Sequence, residues 1–117
     1  MVIRQKVRQA AEQIRLGLVS QTKIVTAASE IARNALLYGG GGQCVVEITQ
    51  RDGRAAVRLV ISDQGPGIAN IEQALVDGYT TGNGLGLGLS GSRRLVDQFA
   101  IQSEPGTGTT IELWKWK

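Results

Sequence analysis

The chain has 117 residues and a net charge of +3, a length that suits one domain spanning 1–117 with its own core. Its 42% hydrophobic and 20% charged content is that of a soluble globular protein, and no apolar run approaches the ~18 residues of a membrane span. The absence of histidine excludes a His-based triad, a His general base and His metal ligands. A single cysteine, Cys44, excludes an internal disulfide and suits a reducing cytoplasm.

Apolar positions Ile3, Val7, Ala10, Ala11 and Ile14 recur at helical spacing, which predicts a first helix over 2–16 that stops at Gly17. A second amphipathic helix is expected over 20–38 from Ile24, Ala28, Ile31, Ala32, Ala35 and Leu36, with Ser20 as its N-cap. The first two helices hold Arg4, Lys6, Arg8, Arg15, Lys23 and Arg33 against only Glu12 and Glu30. The chain lacks aromatics interleaved with these charges for stacking on bases. They therefore read as a solvated helix surface, and neither a nucleic-acid nor a membrane partner is expected.

Alternation of Cys44, Val46 and Ile48 with Glu47 and Thr49 predicts a strand over 43–50. Asp52-Gly53 supplies the positive φ angles of a tight hairpin. The return strand, 55–62, is apolar at Val57, Leu59 and Ile61 and again at Val60 on the other face, as expected of a central strand. Asn70–Val76 suits one or two helical turns, and Gly78–Gly88 is irregular. A helix over 90–98, carrying Leu95, Val96 and Phe99 on its inner side, precedes strands over 100–103 and 109–116. This order predicts an α+β fold: a two-layer α/β sandwich with helices on one face of a mixed sheet.

Four features could carry chemistry. Glu30 and Asn34 lie one turn apart on the second helix. A carboxylate can accept a proton from an attacking hydroxyl, and an amide oxygen can ligate Mg²⁺; the same pair also suits a plain polar helix face. Asp63 ends an apolar strand before Gly65-Pro66-Gly67, where it can accept from an exocyclic amine or simply make an Asx turn. The run Gly82-Asn83-Gly84-Leu85-Gly86-Leu87-Gly88-Leu89 offers bare amides leading into a helix, an arrangement suited to phosphate. It is no Walker A loop, since no Gly-Lys-Ser/Thr follows, and it opens no early strand-helix-strand unit of the dinucleotide-binding kind. Its leucines argue against a polar linker. Gly106-Thr107-Gly108-Thr109 makes a hairpin turn or sets the Thr109 hydroxyl beside a base.

In this order the four features resemble the GHKL ATPase superfamily, the Bergerat fold of histidine kinases, DNA gyrase, MutL mismatch-repair proteins and anti-sigma factor kinases. The resemblance runs from about residue 20 to 114. Glu30-Ile31-Ala32-Arg33-Asn34 matches the N box, Asp63 to Gly67 the first glycine box, Gly82 to Gly88 the second, and Gly108-Thr109 the last. Within the superfamily the chain is similar to small RsbT-type serine/threonine kinases, through 29–34, Asp63 to Ile68 and Gly84 to Leu89.

That resemblance implies a cytoplasmic ATP-dependent kinase that phosphorylates a STAS-domain antagonist in a bacterial partner-switching or stressosome pathway. A downstream phosphatase or a sigma factor is then a further partner. It implies Glu30 as catalytic base or hydroxyl-orienting group and Asn34 as the Mg²⁺ ligand, while Asp63, with Gly65, Gly67, Ile68 and Thr109, holds adenine. Gly82, Gly84, Leu85, Gly86, Leu87 and Gly88 would cradle the phosphates. The chain departs from the pattern in two places: it starts almost directly in the first helix, and Leu36-Leu37-Tyr38-Gly39 stands where the family carries a basic residue. An ATP-binding anti-sigma factor that sequesters its partner uses the same boxes. A histidine kinase domain is the third reading, disfavoured because the chain has no phosphoacceptor histidine.

Overall fold

The computed structural model describes residues 2–38, 42–64, 88–104, 106 and 108–117, with side chains described for part of these. Helices α1 (Val2–Gln13) and α2 (Leu18–Tyr38) are followed by strands β1 (Gly42–Arg51) and β2 (Arg54–Asp63). Helix α3 (Gly88–Arg94) then leads into β3 (Gln98–Glu104) and β4 (Gly108–Trp116). The turns expected over 70–76 and the irregular stretch 78–87 lie outside the described residues.

The strands form a four-stranded sheet in the order β1-β2-β4-β3. Every pairing among the described residues is antiparallel, which corrects the expectation of a mixed sheet. Hairpin connections account for the outer pairs. β1 and β2 meet at Asp52 (φ 51°) and Gly53 (φ 81°), a turn whose positive φ angles match the twist of the flanking strands. β2 is an interior strand, as its two-sided apolar pattern suggested.

Side chains alternate between the faces of a sheet. One face presents Val57, Leu59, Ile61, Ile111 and Leu113, which pack with Val7, Ala11, Ile24, Ala28 and Ile31 of α1 and α2 into one core. Helix α2 contacts α1, α3 and the sheet, so it is the central helix of its layer. Aliphatic packing of this kind is non-directional, and burial of each Leu or Ile side chain contributes about 1.5–3 kcal/mol.

The junction of α1 and α2 differs from the sequence expectation. Helix α1 ends at Gln13, and Arg15 takes a left-handed conformation (φ 58°). The Arg15 N–H donates to the Glu12 carbonyl (3.0 Å) and the Leu16 N–H to the Ala11 carbonyl (3.0 Å), the bonding pattern of a Schellman cap. Leu16 is buried by this turn, which offsets the steric cost of a non-glycine residue there. Gly17, expected to stop α1, instead begins α2: its carbonyl accepts from the Gln21 N–H at 2.9 Å. Ser20 therefore stands inside the first turn and is not the N-cap.

Helix α3 ends at Arg94, four residues short of the expected end, and Phe99 belongs to β3. Asp97 explains the early stop. Its N–H donates to the Trp114 carbonyl (2.9 Å). Its carboxylate accepts from Lys115 Nζ (3.2 Å) and from the Trp116 N–H (2.9 Å). These cross-strand bonds start the β3–β4 pairing before a further helical turn can form. Phe99 still packs on the core, from the sheet.

Candidate functional site

Along β2 the inward positions run Val57, Leu59, Ile61, Asp63, so the strand carries its apolar face to its end and finishes on a carboxylate. In the register, Asp63 lies opposite Thr109 of β4, and Thr109 lies opposite Ser103 of β3. Asp63, Thr109 and Ser103 thus form a polar row across three strands, on the face that the helices cover. The adjacent row on that face is Ile61, Ile111 and Ile101. Asp63 and Ser103 are half-buried, and Thr109 is buried.

Hydrogen bonds hold this row in place. Ser103 Oγ donates to the Gly108 carbonyl at 3.1 Å and lies 2.9 Å from Thr109 Oγ1. Gly108 adopts φ +133°, a backbone conformation that side-chain-bearing residues rarely take. A Cβ at this position would collide with the carbonyl oxygen of Asp63, so the absence of a side chain is what lets β4 approach the end of β2.

Glu30 and Asn34 are both on α2, separated by one helical turn. The Glu30 side chain is 13% exposed, more enclosed than a freely solvated helix face. Arg33 Nη1 stands 3.9 Å from Glu30 Oε1, with Arg33 40% exposed. Such an i,i+3 pair contributes only a few tenths of a kcal/mol, about 0.2–0.5 kcal/mol, so Arg33 orients the carboxylate more than it stabilises the helix. Next to Glu30 on α2, Ser29 is buried. It donates to the Val25 carbonyl (2.8 Å) and accepts from Arg4 Nε (2.7 Å), a tie that fixes α1 to α2 one residue from Glu30.

The structure therefore places Asp63 and Thr109 side by side, under the layer whose central helix carries Glu30 and Asn34. Gly88 opens α3, which packs on α2. Gly65, Gly67, Ile68, Gly82, Gly84, Leu85, Gly86 and Leu87 lie outside the described residues, as does the side chain of Asn34. Sequence reasoning missed Ser103 and Arg4. Ser103 was accessible in principle: pairing the two last strands across the Pro105-Gly106 turn brings it opposite Thr109. The Arg4–Ser29 bond joins two helices at a separation no periodicity reports.

The described residues offer hydrogen-bonding groups suited to the edge of a base. A carboxylate and a hydroxyl at a sheet end can hold a base edge, and a carboxylate on the neighbouring helix can accept a proton. No helix among the described residues is long and apolar enough to cross a membrane.

Comparison with known proteins identifies the family to which this fold belongs. The chain is 43% identical over 113 residues to the serine/threonine-protein kinase RsbT of Bacillus subtilis (strain 168), covering 97% of this chain and 85% of that protein. It is 36% identical over 102 residues to an anti-sigma F factor of Geobacillus sp. (strain WCH70), covering 81% and 68%. The mycobacterial sensor histidine kinase MprB has the same fold, with a TM-score of 0.61 at 24% identity over 82% of this chain and 71% of that one. Residues 19–117 match the family described as histidine kinase-, DNA gyrase B-, and HSP90-like ATPase, and the chain belongs to that family.

Proposed function

We propose that this chain, acting as one unit over 1–117, is an ATP-dependent serine/threonine protein kinase whose substrate hydroxyl arrives on a partner protein. The observation that supports it most directly is the cross-strand pairing of Asp63 with Thr109 beneath the helix that carries Glu30. Its relatives add weight, since one is named a serine/threonine-protein kinase.

In this reading Asp63 accepts a hydrogen bond from the exocyclic amine of adenine, and Thr109 completes the base edge. Gly65, Gly67 and Ile68 are assigned to the base, and Gly82 to Gly88 to the phosphates. Glu30 accepts the proton of the attacking Ser or Thr hydroxyl as its oxygen bonds to the terminal phosphorus and the bond to ADP breaks. The amide of Asn34, one turn from the Glu30 carboxylate, is a hard oxygen donor of the kind Mg²⁺ takes, so Asn34 would hold that ion. When bound, the ion supplies neutralisation of phosphate charge. The partner we infer is a STAS-domain antagonist in a cytoplasmic partner-switching pathway, with a phosphatase or a sigma factor downstream.

The test is incubation of the purified chain with ATP, Mg²⁺ and a STAS-domain protein, read by mass spectrometry for phosphate on Ser or Thr. Glu30→Ala is expected to keep ATP binding and lose about 10²–10⁴-fold in transfer rate. Full activity in that variant contradicts the assignment. The anti-sigma F factor relatives favour a second reading, in which the chain sequesters its partner. A stable complex with no phosphate transferred is the outcome that supports it.

A further inference from the structure

The two most exposed large apolar side chains among the described residues are neighbours at the start of α2: Leu18 is 79% and Val19 69% exposed. They begin a stripe. Val19, Lys23, Thr26 and Glu30 follow one another at helical spacing and so lie along one side of α2. Val19, Lys23 and Thr26 are exposed, and the stripe ends at Glu30, about 16 Å from Val19 at the helical rise. Positive charge flanks it. Helices α1 and α2 form an antiparallel hairpin, since Arg4 meets Ser29 while Leu16 and Gln21 meet near the turn. Arg8 lies one turn from Arg4 on the same side of α1, and so beside the stripe. Arg8, Arg15 and Lys23 are exposed, and none forms an ion pair among the described residues. Between Val2 and Thr26 the one acidic residue is Glu12.

We propose that this side of the α1–α2 hairpin docks the substrate protein, and that the partner surface it fits is acidic and carries an apolar side chain about 16 Å from the acceptor hydroxyl. The inference rests on the proposed kinase reading and deepens it, because it names the surface that brings the hydroxyl to Glu30 and the chemistry of the partner. Leu18 and Val19 seat the apolar group, and Lys23, Arg8 and Arg15 face the acidic ones. Contacts made this far from the reacting atoms hold the hydroxyl beside Glu30 without taking part in the transfer. A lipid surface with acidic headgroups matches the charge and the apolar pair, but it also presses anions against Glu30 and Glu12. A folded partner can set a neutral hydroxyl at Glu30 and its carboxylates elsewhere.

The experiment follows phosphate transfer from ATP to a STAS-domain protein by the intact chain, with kcat and the KM for each substrate read separately. Calorimetry of the same protein on the ATP-loaded chain reads docking directly. Val19→Glu is expected to raise the KM and Kd for the protein about tenfold, and to leave kcat and the KM for ATP unchanged. Lys23→Glu is expected to raise them about threefold to tenfold and to weaken their dependence on salt. Both positions are exposed, so an unfolding midpoint equal to that of the wild type is expected. Val45→Glu, at an exposed apolar position on β1, is the control and is expected to change neither constant. Unchanged constants in both α2 variants, with transfer intact, overturn the docking surface and leave the kinase reading standing. Binding without transfer overturns the kinase reading, and its loss in Val19→Glu still supports the surface. Absence of both binding and transfer overturns both. Capture of the chain by phosphatidylserine vesicles, or a dimer in sedimentation, that Val19→Glu abolishes gives the stripe to lipid or to a second copy and overturns the protein partner.

Discussion

The two faces of the sheet are built from the same strands by opposite means. The face under the helices is aliphatic through the middle of β2 and β4, with the buried Lys115 toward one end and the row of Asp63, Thr109 and Ser103 at the other. The outer face carries charge and aromatic rings. Glu112 accepts from Trp114 Nε1 (2.6 Å) and from Arg58 Nη2 (2.7 Å). Glu47 stands 3.9 Å from Arg58, while Arg58 and Arg51 lie over the Trp114 ring at 5.8 and 5.1 Å. The lesson concerns where polar groups are costly. On the outer face water shares the work and each contact is worth little. Within the covered layer an unpaired polar group is costly, and Ser103 is tied to the Thr109 hydroxyl and to the Gly108 carbonyl.

This contrast can be broken by substitution. Leu59 is fully buried, and Leu59→Ala is expected to cost about 2–5 kcal/mol in urea unfolding through the cavity it leaves. A loss below 1 kcal/mol would mean that the inner face is not the stabilising one. Next in size, Asp63→Asn is expected to weaken ATP binding by about 10- to 150-fold, the loss of a charge-assisted bond. Unchanged affinity by calorimetry would make the polar row a structural feature alone. On the outer face, Arg58→Ala is expected to cost only about 1 kcal/mol, since the side chain is 28% exposed. A cost equal to that of Leu59→Ala would erase the distinction between the faces.

The smallest effect is on acid stability. The Trp114 indole N–H and the Arg58 guanidinium hold the Glu112 carboxyl below its ordinary value, against a partial opposing effect of burial. A depressed value in the folded state means that the contribution is complete above the usual carboxylate range and is lost as pH falls through the lowered value. Screening by solvent keeps it to no more than about 0.5 kcal/mol. Glu112→Gln is expected to flatten the acid limb of the unfolding midpoint against pH by that amount, and high salt is expected to shrink the difference. An acid limb identical in the two proteins would show that Glu112 contributes nothing.

Much of the fold was legible because local patterns and tertiary demands agree. The aliphatic stripe of α2 predicts its burial, Asp52-Gly53 predicts its own turn, and Val60 opposite Leu59 and Ile61 predicts an interior strand. Reading failed where a distant partner outweighed the local signal. Phe99 continues the apolar pattern of α3, but Asp97 is claimed by the backbone of β4 and ends the helix first. Arg15 carries no turn signature, and its left-handed conformation follows from the burial of Leu16.

The candidate site divides in the same way. The sequence states the functional groups of Glu30, Asn34, Asp63 and Thr109 and their order outright, and the roles proposed for them start from those groups. Which of them share a row was decided only by strand register. A register is a property of two strands brought together, and Ser103 acquires its meaning from lying opposite Thr109. Gly108 makes that alignment possible, because a side chain there would collide with the Asp63 carbonyl and hold β4 away from the end of β2.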